Sequence, residues 1–218
     1  MKLSGILMMG LLVFAFTGLQ DVRANEADEA FATGEKYYNG DGVTQDYAEA
    51  FKWFRKAANQ GDALAQFDIG VMYKKGQGVV QDYAEALKWF RKAADQGHAD
   101  AQYNIGVMYY SGDGVTQDYA EAKKWFLKAA DQGHAEAQFN MALMYHNGDG
   151  VTQDYAEAFK WFRKAANQGD AEAQFNIAGM YLNGKGVTQN YTEAKIWFLK
   201  AAEQGFQPAR DAFQKISR

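Results

Sequence analysis

Trp53, Trp89, Trp125, Trp161 and Trp197 stand 36 residues apart, and the chain has no other tryptophan. Each sits in nearly the same string, D-Y-A-E-A-x-K-W-F-x-K-A-A-x-Q-G, which runs from Asp82 to Gly97 in the second copy and changes at Asn190, Thr192 and Ile196 in the last. A strict period of this length marks an array of supersecondary units, each too small to bury its own apolar face. Aligned on tryptophan, the copies are 26–61, 62–97, 98–133, 134–169 and 170–205, with a partial unit at 206–218.

Each copy reads as two helices. In the first, Ala65, Ile69 and Met72 fall at i, i+4 and i+7 with Ala63 and Tyr73 beside them, an amphipathic helical stripe. Gly76-Gln77-Gly78 ends it, glycine being at ease in the left-handed backbone of a helix exit. The second helix opens at Asp82 with Glu85 three residues on, the spacing of a reciprocal capping box. Its stripe is Tyr83, Ala86, Phe90 and Ala93, flanked by Trp89, and Gly97 stops it. Asp46, Asp118, Asp154 and Asn190 are the corresponding caps.

Ala65, Ala86, Ala93 and Ala94 allow close helix approach, with Trp and Tyr filling the wedges. Gly70 and Gly106 lie inside the first helix, where each costs about 1 kcal/mol. That cost predicts that a neighbouring helix presses on them; Ala142 and Ala178 take the position later. The end units differ, as an array requires. Glu29, Thr33 and Lys36 replace the Ala, Ile and Met of the stripe in repeat one, and Pro208 opens a stripe of Ala209, Ala212, Phe213 and Ile216 that predicts a capping helix.

The N-terminus follows another logic. Lys2 precedes eighteen uncharged residues, Leu3 to Gln20, and then Val22-Arg23-Ala24. This is the layout of a secretory signal peptide, with cleavage expected after Ala24 and a periplasmic or secreted destination. An uncleaved anchor is the alternative, weakened by Gly5, Gly10, Thr17 and Gly18. Without Lys2, Arg23 and Asp21 the chain's 23 basic and 27 acidic groups become 21 and 26, a charge of −5. Binding to nucleic acid or an anionic membrane needs clustered Lys and Arg instead. The absence of cysteine excludes disulfides, a thiolate zinc site, a cysteine nucleophile and a lipidated cysteine.

Little catalytic chemistry is legible. His98 and His134 share a position with Asp62 and Asp170, which predicts helix capping rather than metal binding. The loop Asn39–Asp46, repeated at Asn147–Asp154, lacks the alternating acids and closing Glu of a calcium loop. No G-K-[ST] makes a phosphate cradle, and Ser4, Ser111 and Ser217, the only serines, lie in no G-x-S-x-G. Asn190-Tyr191-Thr192 is formally a glycosylation sequon, but a cap role explains the Asn. No catalytic residue, metal or cofactor is expected.

The recurring residues A-x-A-Q-x-x-I-G-x-M-Y-x-x-G-x-G-V-x-Q-D-Y-x-E-A-x-x-W-x-x-x-A-A-x-Q-G resemble the Sel-1-like repeat, a relative of the tetratricopeptide repeat, over residues 26–205. The resemblance implies an all-α, right-handed superhelical solenoid of five helix–loop–helix repeats plus the capping helix. It also implies a non-enzymatic, often exported scaffold for protein–protein interaction, with first helices lining a concave groove. The implied groove positions are Leu64, Phe67, Val71 and Lys74, with equivalents Tyr38, Val107, Tyr110, Leu143, His146, Gly179 and Leu182. Two columns vary on an otherwise constant framework: Tyr38, Lys74, Tyr110, His146, Leu182, and Glu35, Val71, Val107, Leu143, Gly179. Aromatic and aliphatic side chains released from packing suit recognition of a protein or extended peptide. A monomer is expected, since the polar face of repeat one opposes end-to-end self-association, one alternative. The other, β-lactam binding or hydrolysis as in cysteine-rich relatives, fails for want of paired cysteines and an S-x-x-K motif.

Overall fold

A carboxylate or amide side chain holds the first turn of every second helix. In the computed structural model, which describes residues 26–217, Asp46, Asp82 and Asp154 each accept from two backbone N–H groups. Asp118 and Asn190 each accept from one. The predicted signal segment, residues 1–24, lies outside the described residues.

The chain divides into two compact units, Met1–His98 and Ala99–Arg218. The first contains α1 (26–39), α2 (Tyr47–Asn59), α3 (Ala63–Lys75) and α4 (Tyr83–Asp95). The second contains α5 (Ala99–Ser111), α6 (Tyr119–Asp131), α7 (Ala135–Asn147), α8 (Tyr155–Asn167), α9 (Ala171–Asn183), α10 (Tyr191–Glu203) and α11 (Gln207–Ile216). The described residues are therefore all-α: five helix–loop–helix repeats and the closing helix that Pro208 announces. Ala209 of α11 is buried, and Ala212, Phe213 and Ile216 pack against the core of repeat five.

The capping box forms only by half. The N–H of Asp82 donates to the Tyr73 carbonyl at 3.0 Å instead of to Glu85, and Glu85 accepts from Lys88. The same replacement recurs at Asp46, Asp118, Asp154 and Asn190, whose N–H groups donate to Tyr37, Tyr109, Tyr145 and Tyr181. The last turn of the preceding first helix reaches the cap before the Glu side chain can.

The core of each unit is built on phenylalanines seated on small residues. Phe54, Phe90, Phe126 and Phe162 are fully buried. The close approach expected at Gly70 and Gly106 is made by these rings: an added Cβ would stand 2.6 Å from Phe90 Cδ1 and 2.5 Å from Phe126 Cδ1. In Gly-x-Gly, the first glycine (Gly76, φ +69°) caps α3 and the second meets the preceding repeat. A Cβ on Gly78 would overlap the Tyr47 carbonyl, and one on Gly186 the Tyr155 carbonyl.

Glutamines join the two helices of a repeat to each other and reach back to the repeat before. Buried Gln138 donates to the Ala130 carbonyl at 3.1 Å and accepts from Gln168 at 2.8 Å. Gln66 with Gln96, Gln102 with Gln132, and Gln174 with Gln204 make the same amide–amide contact. At the first repeat Ala30 stands where the Gln acceptor would be, and Gln60 Oε1 is buried without a partner among the described residues. A second set, Gln45, Gln81, Gln117, Gln153 and Gln189, donates to the carbonyls of Tyr38, Lys74, Tyr110, His146 and Leu182, closing the first-helix C-termini.

Candidate binding face

The predicted groove residues lie on the first helices, where all but Leu64 are partly buried. Phe67 stacks on the His98 ring at 4.8 Å and tilts against Phe90. Val71 and Lys74 are half-buried on α3. Val107 and Leu143 pack on the core of the second unit, and Leu182 on the core beneath α10 and α11. Leu64 is exposed, and a Cβ built on Gly179 meets nothing within 4 Å.

The variable column is less free than its variation suggests. Tyr38 donates to Gln77 at 3.2 Å, and its ring meets Tyr47 edge-on. Tyr110 donates to Asp149 at 2.8 Å and meets Tyr119 edge-on. Burial first, then the bond to Asp149, pushes the Tyr110 phenol up to about 12. His146 meets Tyr155 edge-on. Tyr38 and Tyr110 therefore brace one repeat on the next and His146 packs within its own, while part of each still faces outward.

His134 behaves as a cap: Nδ1 accepts from the Ala137 N–H at 3.2 Å, while the ring stacks on Tyr103 and Nε2 lies 2.9 Å from Asp100. Among the described residues no group of three or more His, Asp or Glu is arranged to hold a metal.

Each unit has a cavity on this face. In the first, Glu35, Tyr38, Asn39, Phe54 and Asp68 line about 200 Å³. In the second, about 150 Å³ is lined by His146, Phe175, Asn176, Gly179, Met180, Asn183 and Lys185. Both combine the variable column of one repeat with a residue of the column Asp68, Asn104, Asn140, Asn176 from the next. That column was missed in the sequence, although its 36-residue recurrence was visible; a run of Asn on an amphipathic helix reads as solvated surface.

The Sel1 repeat family model matches residues 30–62, 63–98, 99–134, 135–170 and 171–206. The chain belongs to the Sel1 repeat family. Solved structures agree with that membership. A protective antigen present in uropathogenic Escherichia coli strains, displaying the same fold, is 44% identical with a TM-score of 0.86. The match covers 87% of this chain but only 41% of the antigen. A Sel1 repeat protein from Oxalobacter formigenes is 38% identical, with a TM-score of 0.80 over 85% of this chain and 76% of its own. An immunity protein from Pseudomonas aeruginosa shares the fold at 21% identity and a TM-score of 0.53, covering 84% of this chain and 67% of its own. Among curated proteins, none matches this Sel1 repeat chain. Solenoids of this family commonly mediate protein–protein interaction. No described helix is long and apolar enough to cross a membrane.

Proposed function

We propose that this Sel1 repeat protein is an exported, non-catalytic module that docks an extended segment of another protein along the first helices of its repeats. The observation carrying the reading is the recurrence of a cavity at equivalent places in the two units, built from side chains that vary on a constant framework. The framework is spent on rigidity: capped helices, buried Phe and paired Gln leave the first-helix side chains in fixed positions, which lowers the entropy lost on binding. A partly buried aromatic beside a small open cavity suits a side-chain anchor.

Export is supported by the layout of residues 1–24. The mass of the protein recovered from its host tests this part: loss of residues 1–24 is the expected result, and an intact N-terminus contradicts cleavage.

Docking is tested by filling a cavity without removing a contact. Gly179→Leu places a side chain in open space within the second cavity. A partner captured from an envelope extract by the wild-type chain should be bound at least tenfold more weakly by Gly179→Leu, with an unchanged circular dichroism spectrum. Equal capture by both contradicts the reading at this cavity.

A further inference from the structure

Two side chains break the repeat pattern, and the fold brings both to one cavity. Glu35 stands in a column otherwise filled by Val71, Val107, Leu143 and Gly179. Asp68 stands in one continued by Asn104, Asn140 and Asn176. Glu35 lies on α1 and Asp68 on α3, and with Tyr38, Asn39 and Phe54 they line the 200 Å³ cavity of the first unit. Neither carboxylate makes a hydrogen bond or ion pair with another described residue. Burial first, then the neighbouring charges of Glu35 and Asp62, pushes the Asp68 carboxyl up to about 7. The fold does not ask for an acid here, since three later repeats carry Asn. A half-buried carboxylate beside a second, exposed one costs stability, and such costs persist where binding uses them.

We propose that this cavity takes the ammonium end of a lysine side chain, one presented by the partner segment if the docking reading above holds. A lysine ammonium brings three donors and a full positive charge. The carboxylates of Glu35 and Asp68 supply the opposite charge, the Asn39 amide and Tyr38 hydroxyl oxygens are further acceptors, and the Tyr38 ring gives the alkyl stem an apolar wall. The acceptors are separate side chains on two helices, which suits a compact three-donor group better than the planar fork of arginine. The corresponding cavity of the second unit is lined by His146 and Lys185 and by no carboxylate, so it should refuse the same group.

The test is a titration of the full chain with Nα-acetyl-lysine N-methylamide, read from backbone amide NMR shifts. Saturable shifts are expected at residues 35–39 and 68 and not at 146, 176 or 179. Affinity should fall at least fivefold in Glu35→Gln/Asp68→Asn. Asn is already accepted at that place in three repeats, and Glu35→Val, which copies Val71, is a second variant with the same expectation. The Nε-acetylated probe should give no saturable shift. The proposal is overturned by no saturation with the wild type, by equal affinity in the variants or for the acetylated probe, or by a stronger response in the second cavity. Tighter binding of the arginine analogue, or tenfold tighter binding of n-butylammonium, overturns the lysine assignment. Because the probe needs no partner protein, failure here leaves docking at Gly179 and His146 standing, and failure there leaves this cavity to be judged on its own.

Discussion

The hydroxyl of Tyr110 donates a 2.8 Å hydrogen bond to Asp149, joining the first helix of one repeat to the loop of the next. Its ring also lies edge-on to Tyr119 at 5.0 Å. Tyr110→Phe should keep the ring contacts and lose about 0.5–1.5 kcal/mol. Tyr110→Ala should lose more, because the ring contacts go too. Urea unfolding of the three proteins checks this, and an Ala variant as stable as wild type would return Tyr110 to a purely exposed role.

The amide of Gln138 donates to Ala130 and accepts from Gln168 inside the core. Gln138→Met, similar in shape, should cost about 1–3 kcal/mol, because the Ala130 carbonyl and the Gln168 amide lose their partner. A double-mutant cycle with Gln168→Met should show coupling between the two sites. Additive effects would mean that the two amides do not act as a pair joining the helices of the repeat.

The first of these residues was legible in the sequence as a variable position but its packing was not; the second was hidden in plain view. Tyr110 varies with Tyr38, Lys74, His146 and Leu182, and variation suggested release from packing. The structure shows that residues 39 apart, such as Tyr110 and Asp149 or Tyr38 and Gln77, also pair between neighbouring repeats. Gln168 recurs in all five copies and Gln138 in four, yet Gln carries no hydrophobic signal, so periodicity alone gives it no place inside. The helices, their caps, the close approach at Gly70 and the closing helix after Pro208 were readable because each has a local cause. Gly78 was read as a helix stop, but its need comes from the Tyr47 carbonyl of a different repeat. No spacing rule within one repeat reveals that.

Trp161 is buried, with Lys164 Nζ 3.6 Å from its ring centroid, whereas Trp125 is only half-buried and donates to Glu121. Trp161→Ala should therefore cost about 3–5 kcal/mol, and Trp125→Ala less, although both occupy the same place in the repeat. Thermal melts of the two variants give the order, and equal losses would contradict it.

Asp68 makes a pH prediction whose sign is fixed. Its carboxyl titrates near 7 in the folded chain against an ordinary value of 3.8, so the folded state holds a proton that the unfolded chain has released between those values. This group's contribution is most favourable below about pH 4, declines as pH rises through 7, and is then level. Asp68→Asn should flatten that slope and be more stable than wild type at pH 8, on the order of 1–3 kcal/mol. Urea midpoints at pH 5 and pH 8 measure it, and a variant less stable at pH 8 would show that the carboxylate has a partner in the free protein.

Docking along the first helices is the central claim, and site-specific photocrosslinking tests it most directly. Benzoylphenylalanine is placed at His146, on the first-helix face, and at Lys160, exposed on α8. Irradiation in the native host should give a mass-shifted adduct from position 146 and none from position 160. An adduct from Lys160 with none from His146 would place the binding surface on the second helices and contradict the account.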